Sequence, residues 1–324
     1  MKKLLAAAMI FLLNVSTGAN AQPFQSIEFQ SLTCVHKTRF NDDCSPVQIR
    51  GRYLKSGTDR IVFITHGSPG IDERHERYAR HLNSLGISAV ILEHWGSRGI
   101  RSSQENFAEA EKKGARAFNM TLDAMHGMQF FKEKNGYKFF GHIGESVGGT
   151  AATWFVKKYM YSEYQRIVGR APMQPQAVVA LYAGCYEKTE SDEFVNVALA
   201  NVIGSLDNNS PAALCQEWSA WANKKGANIT YIELAGQHHD FDMGTPVKAY
   251  SGAENPSECA RYVDLQSITW LKTGKKYSAN AAGFTEFTKD CMLSGKVKPT
   301  LAGHTGNPNS GFSEWGDFFV RNLR

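Results

Sequence analysis

The sequence predicts an α/β fold, a mostly parallel sheet with helices on both faces. Three observations carry this. Short apolar runs rich in β-branched residues alternate with longer stretches of helical spacing between residues 60 and 242, the pattern of doubly covered strands joined by crossover helices. Gly86 and Gly136 follow the helical stretches directly, where helices stop. The run Tyr137 to Phe140 leads into Gly144-Glu145-Ser146-Val147-Gly148, a G-x-S-x-G pentapeptide of the kind that turns a strand sharply into a helix and exposes a serine hydroxyl.

The elements follow in order. Met1-Lys2-Lys3, the apolar stretch Leu4 to Val15 and the A-x-A triplet Ala19-Asn20-Ala21 read as a secretory signal, residues 1–21, cleaved after Ala21. The apolar run is shorter than the ~20 residues of a membrane span. No later segment is apolar enough either, so no stable membrane anchor is expected. The short basic start suits a bacterial Sec-type signal, which places the protein in the periplasm or outside the cell. Residues 22–324 are expected to form one domain. Removing Lys2 and Lys3 lowers the formal charge from +5 to +3, and the remaining charges are dispersed, which argues against nucleic-acid binding.

Gln22 to Arg60 reads as N-terminal antiparallel strands. Ile61 to Thr65 is a buried strand ending in the loop His66-Gly67-Ser68-Pro69-Gly70. Arg74 to Leu85 has helical spacing of Tyr78, Leu82 and Leu85, and Ile87 to Leu92 is a second strand. Ala115 to Lys134 is a long helix with Leu122, Met125, Met128 and Phe131 on one side. Tyr137 to Phe140 is a strand and Gly148 to Tyr161 the helix behind the pentapeptide. Ala177 to Tyr182 and Val197 to Ile203 are strands, Pro211 to Lys225 a helix, and Asn228 to Leu234 a strand. Gly244 to Ser310 breaks the alternation and reads as an elaboration before a closing helix, Phe318 to Leu323. It is either a specificity element or packing.

Six cysteines in an exported chain imply disulfides. Cys34 and Cys44 close a short local loop, Cys259 and Cys291 share the C-terminal third, and Cys185 is left with Cys215. None forms a C-x-x-C pair, and His75 and His81 are six apart rather than four, so no metal site is expected.

In an open parallel sheet, ligands bind beyond the carboxyl ends of the strands. Asp207 lies just after the run Val197 to Ile203, and His238 and His239 lie just after Asn228 to Leu234. Asp192 is the alternative acid, in a polar loop before its strand. Ser146, Asp207 and a histidine therefore follow strands in the order of a serine-hydrolase triad.

At these residues the chain resembles the dienelactone hydrolase branch of the α/β-hydrolases. The resemblance rests on Asp207-Asn208-Asn209-Ser210-Pro211, on the H-x-F-D setting His239-Asp240-Phe241-Asp242, on Glu93-His94-Trp95-Gly96-Ser97-Arg98-Gly99, and on Gly148-Gly149. It covers residues 60–242 and the last helix. It implies the α/β-hydrolase fold and favours His239 over His238. The namesake enzymes use a cysteine nucleophile and this chain has Ser146, which moves the expectation from dienelactones to esters in general.

The roles follow from chemistry. A serine hydroxyl needs a base to take its proton as it attacks, which falls to His239, oriented by Asp207. The oxyanion needs N–H donors, expected from Val147 and from Ser68 or Gly67. Gly144 and Gly148 keep the turn clear, with Glu145 as a buttress under it. Arg98, His66 and His238 are candidate substrate contacts, although an ion pair suits Arg98 better and a structural role His66. The expected activity is a cofactor-free serine esterase acting on a small-molecule ester through an acyl-enzyme. A peptidase or amidase on the same fold, or a non-catalytic binding protein that kept it, are the alternatives.

Overall fold

The computed structural model describes residues 22–38, 41–101, 107–251, 255–293 and 299–324, so the expected signal segment lies outside the described residues. Two long strands come first, β1 (Gln25–Thr38) and β2 (Asn41–Leu54). They pair antiparallel with Cys34 opposite Cys44, and a disulfide joins the two. Next come β3 (Arg60–Thr65), α1 (Glu73–Ser84), β4 (Ser88–Leu92), the short α2 (His94–Ser97) and α3 (Phe107–Lys112), and α4 (Ala117–Asn135). The chain continues through β5 (Phe139–Glu145), α5 (Val147–Trp154), α6 (Lys158–Val168), β6 (Ala177–Leu181), β7 (Glu187–Thr189), β8 (Ala198–Gly204), α7 (Ala212–Lys224) and β9 (Asn228–Leu234). The last third holds β10 (Lys248–Tyr250), β11 (Arg261–Val263), β12 (Ser267–Trp270), β13 (Lys276–Ser278), α8 (Ala281–Leu293), β14 (Thr300–Ala302) and α9 (Phe312–Asn322).

The main sheet has the order β1-β2-β4-β3-β5-β6-β8-β9. From β4 to β9 every neighbouring pair is parallel, and β2 runs against both of its neighbours. This is the mostly parallel architecture of an α/β-hydrolase fold. Alternation within each strand builds the two layers, because successive side chains point to opposite faces. Ile61 and Phe63 join the core under α4 and α7, while Val62 and Ile64 join Tyr78 of α1 and Trp315 and Phe319 of α9 on the other face. All four strand residues are fully buried, each contributing about 1.5–3 kcal/mol of hydrophobic stabilisation.

Three elements depart from the sequence expectation. The helix expected over Gly148 to Tyr161 is two, α5 and α6. Between them Lys157 bridges Phe194, the Lys158 N–H donates to Glu193 and the Val195 N–H to Val156. The backbone there serves a neighbouring segment instead of a helix ladder. The strand expected over Tyr137 to Phe140 runs on to Glu145 despite two glycines, since β3 and β6 flank it on both sides and pairing overrides propensity. The closing helix starts at Phe312, behind Gly311 at φ 82°.

The elaboration is also wider than residues 244–310. Strands β13, β12, β11 and β7 form a small sheet in which β7 comes from before β8. Its core of Val263, Ile268, Trp270, Tyr277 and Phe287 surrounds the Cys259–Cys291 disulfide. The third disulfide, Cys185–Cys215, ties the segment after β6 to α7. Among the described residues no cysteine is free and no helix is long and apolar enough to cross a membrane.

Candidate active site

The strand order reverses at β3, which has β4 on one side and β5 on the other. Crevices at such switch points, beyond the carboxyl ends of the strands, are where open α/β sheets bind ligands. Ser146 sits there, between β5 and α5, at φ 52° and ψ −115°. A non-glycine residue at positive φ is strained and persists only where its surroundings dictate it. Here they do. A Cβ on Gly144 would lie 2.1 Å from the Gly148 carbonyl oxygen, and one on Gly148 would lie 2.6 Å from the carbonyls of Thr65 and His66. The Ser146 N–H is held by Leu181, 3.0 Å away. Val147 opens α5, where a helix's first N–H groups have no intrahelical acceptor.

Asp207 follows β8 after a turn closed by its own N–H to Gly204. Its Oδ1 accepts the N–H groups of Asn209 and Ser210 at 2.8 and 2.7 Å, a common loop role for aspartate. Its Oδ2 lies 2.8 Å from His239 Nδ1, and His239 Nε2 lies 3.3 Å from Ser146 Oγ. With the carboxylate on Nδ1, that nitrogen carries the proton and Nε2 is left as acceptor toward the serine. Asp207 and His239 are buried, while Ser146 and Val147 are half-buried. Burial pushes the His239 pKa down. The Asp207 carboxylate, with Asp240 and Glu145 behind it, outweighs burial and raises the pKa to about 9.

The structure brings Ser146, His239 and Asp207 into one hydrogen-bonded line and leaves other candidates outside it. Asp192 is bound to Lys157 at 2.9 Å. His238 has no hydrogen bond to Ser146 or Asp207, and its backbone carbonyl lies against Gly204. Gly67 is corrected as an oxyanion donor. Its N–H donates to Glu145 Oε1 at 2.5 Å, and a Cβ there would lie 2.4 Å from Glu145 Oε2. Glu145 thus buttresses the turn by gripping the loop after β3. The Ser68 carbonyl is held in turn by the indole N–H of Trp95 at 3.2 Å.

Arg98 makes the ion pair that suits it better than a substrate contact. Its guanidinium holds both oxygens of Asp123 at 2.7 and 3.0 Å, and also Thr33 and the carbonyls of Leu32 and His94. It is a buried tie between β1, α2 and α4. Asp123 also accepts from His94 and Ser31. His66 likewise takes the structural role that suits it better than a substrate contact. It is 1% exposed, its Nδ1 meets the Gly67 carbonyl, and its ring is wedged among His75, His94 and Trp95. Burial, then His94, hold its pKa well below the usual histidine value, so it offers no charge to a ligand. Among the described residues no group of three or more His, Cys, Asp or Glu is placed to hold a metal.

Two features were not read from the sequence. Asn208 and Asn209 carry the elaboration. Asn208 donates to the Pro299 carbonyl and accepts from the Leu301 N–H, both at 2.9 Å, and Asn209 donates to Thr300 at 3.0 Å. The Gly303 N–H donates to the His239 carbonyl at 2.9 Å. The second feature is Arg74, which is buried in a web of carboxylates that includes Asp240, the sequence neighbour of His239. The signal that could have found it is the pair Asp240 and Asp242 flanking a buried phenylalanine, two acids that need a cation.

No protein-family model and no curated protein matches the sequence. Solved structures do. An esterase from Pyrococcus furiosus is 16% identical with a TM-score of 0.45, over 67% of this chain and 85% of that one. A putative dienelactone hydrolase from Klebsiella pneumoniae subsp. pneumoniae is 14% identical with a TM-score of 0.46, over 67% and 89%. A cold-adapted esterase from an Arctic intertidal metagenomic library is 16% identical with a TM-score of 0.44, over 67% and 86%.

Proposed function

We propose that this protein is an exported serine hydrolase that cleaves carboxylic esters through an acyl-enzyme. The observation that carries the reading is the line from Asp207 Oδ2 through His239 to Ser146 Oγ, ending on a serine at φ 52°. In the proposed reaction His239 Nε2 takes the Ser146 proton as Oγ attacks the ester carbonyl carbon. The carbonyl oxygen becomes an oxyanion facing the N–H groups of Val147 and Ser68. The imidazolium returns its proton to the departing alkoxide, leaving the acyl group on Oγ. A water, deprotonated by the same Nε2, then releases the acid and restores the serine. No cofactor takes part. Serine in place of the namesake cysteine favours simple esters over dienelactones. Three disulfides fit an oxidising compartment, which supports export.

A fluorophosphonate probe tests the reading. The mature protein labels on Ser146 and hydrolyses short p-nitrophenyl esters, and Ser146→Ala does neither. Absence of labelling on a folded sample would sink it. Turnover of p-nitroanilides at a rate matching the esters would turn it into a peptidase or amidase.

A further inference from the structure

Arg74, in the first turn of α1, takes no part in the reaction above, yet it is 1% exposed. A buried guanidinium is tolerated only when well paired. Its Nε and one terminal nitrogen hold Asp72, the residue that caps α1, at 2.8 and 2.7 Å. The other terminal nitrogen holds Asp240 Oδ1 at 2.7 Å and donates to the Tyr182 hydroxyl at 3.1 Å. Glu145 and Asp242 lie 3.8 and 3.7 Å from the same nitrogen. The Tyr182 hydroxyl also donates to Asp242 at 2.8 Å, and its ring stands edge-on to the His239 imidazole with centroids 5.0 Å apart.

Three described non-glycine residues have positive φ: Ser146, Tyr182 and Asp240. The first is the proposed nucleophile. The other two are the two side chains that one nitrogen of Arg74 holds, and they flank His239, one in space and one in sequence. Strain of this kind needs an anchor.

We infer that Arg74 is a positioning residue, whose guanidinium pins the strained backbones at Tyr182 and Asp240 and so keeps His239 in line between Asp207 and Ser146. The inference rests on reading His239 as the general base. The charged and titratable groups around that imidazole are Asp207 from the β8 turn, Asp240 from its own loop, Glu145 at the end of β5 and Tyr182 after β6.

Arg74→Lys and Asp240→Asn test it. Lysine keeps the charge and loses the fork. Asp240 is less buried than Arg74, and asparagine accepts its positive φ, so Asp240→Asn keeps the test open if Arg74→Lys does not fold. Both variants are expected to keep KM and to lose kcat toward p-nitrophenyl acetate by about 10²-fold, the effect of a displacement of about 1 Å. Tyr182→Phe, which keeps the ring, loses less. The His239 ring signal in a proton NMR titration supplies a readout independent of turnover. It shifts in both variants, and its midpoint falls in Asp240→Asn, which lacks one neighbouring carboxylate. Wild-type kcat in folded Asp240→Asn, or an unshifted His239 signal in folded Arg74→Lys, which keeps the charge, overturns the inference. If the wild type does not label with fluorophosphonate, the hydrolase reading fails, and the NMR comparison still decides whether Arg74 holds His239.

Discussion

The turn carrying Ser146 and the loop carrying His239 meet at one point, but they are held by different physics. The turn is held by exclusion: Gly144, Gly148 and Gly149 each sit where a Cβ would strike backbone. The loop is held by attraction: Arg74 is surrounded by Asp72, Glu145, Asp240 and Asp242, and Tyr78 and Tyr182 donate to Asp242. Steric confinement is indifferent to pH, whereas a cluster of buried charges depends on it. Half of the proposed site should therefore respond to added volume and half to protons.

The largest expected effect removes the point where the two meet. Ser146→Ala lowers kcat by about 10⁶-fold, leaving what binding and the oxyanion donors supply. Asp207→Asn follows at about 10⁴-fold, because an asparagine no longer enforces the tautomer that His239 needs. Both are read as kcat on a p-nitrophenyl ester.

Gly144→Ala then breaks the confined half. The added methyl meets the Gly148 carbonyl, and the variant loses more than about 4 kcal/mol in urea unfolding, a size kept for clashes of this kind.

Raising the pH sharpens the charged half. Attack needs neutral His239, and a pKa near 9 gives a kcat/KM that rises about 50-fold from pH 7 to 9. Stability moves the other way. His75, where burial is outweighed by Asp72 and Glu145, is raised to about 8. A raised folded pKa contributes stability that is complete below the unfolded value and lost as pH rises through the folded one. The melting temperature should thus fall between pH 7 and 9 as activity climbs. A flat melting temperature across that window would show that the pairing of His75 with Asp72 and Glu145 adds nothing to stability. The smallest effect is a control. Gly169→Ala, at φ 75° with open space around it, costs only about 1–2 kcal/mol.

Exclusion was legible in the sequence and attraction was not. A turn that forbids a Cβ writes its requirement into five adjacent letters, and buried strands show as uninterrupted apolar runs such as Ile61 to Thr65. Charge pairing leaves at most half a mark: Asp240 and Asp242 ask for a cation, and nothing near them in sequence names it. Arg74 and Asp240 are 166 residues apart, and each looks like an ordinary surface residue of its own segment. Gly67 failed as an oxyanion donor for the same reason, since only the fold shows that Glu145 takes its N–H. Strands β10 to β14 were missed because three- or four-residue strands rich in Lys, Ser and Thr have no periodicity to read.

The hydrogen bond from Gly303 to the His239 carbonyl, with Asn208 clasping Pro299 and Leu301, has a kinetic consequence. The proposed base is seated by residues some sixty positions further along the chain. Contacts so distant in sequence close late, because their loop entropy must be met first. A chain still emerging from a ribosome can complete its sheet as far as β9 before those residues are free to pair. Catalytic competence is then the last property the molecule acquires, and its arrival reports that the whole chain has folded.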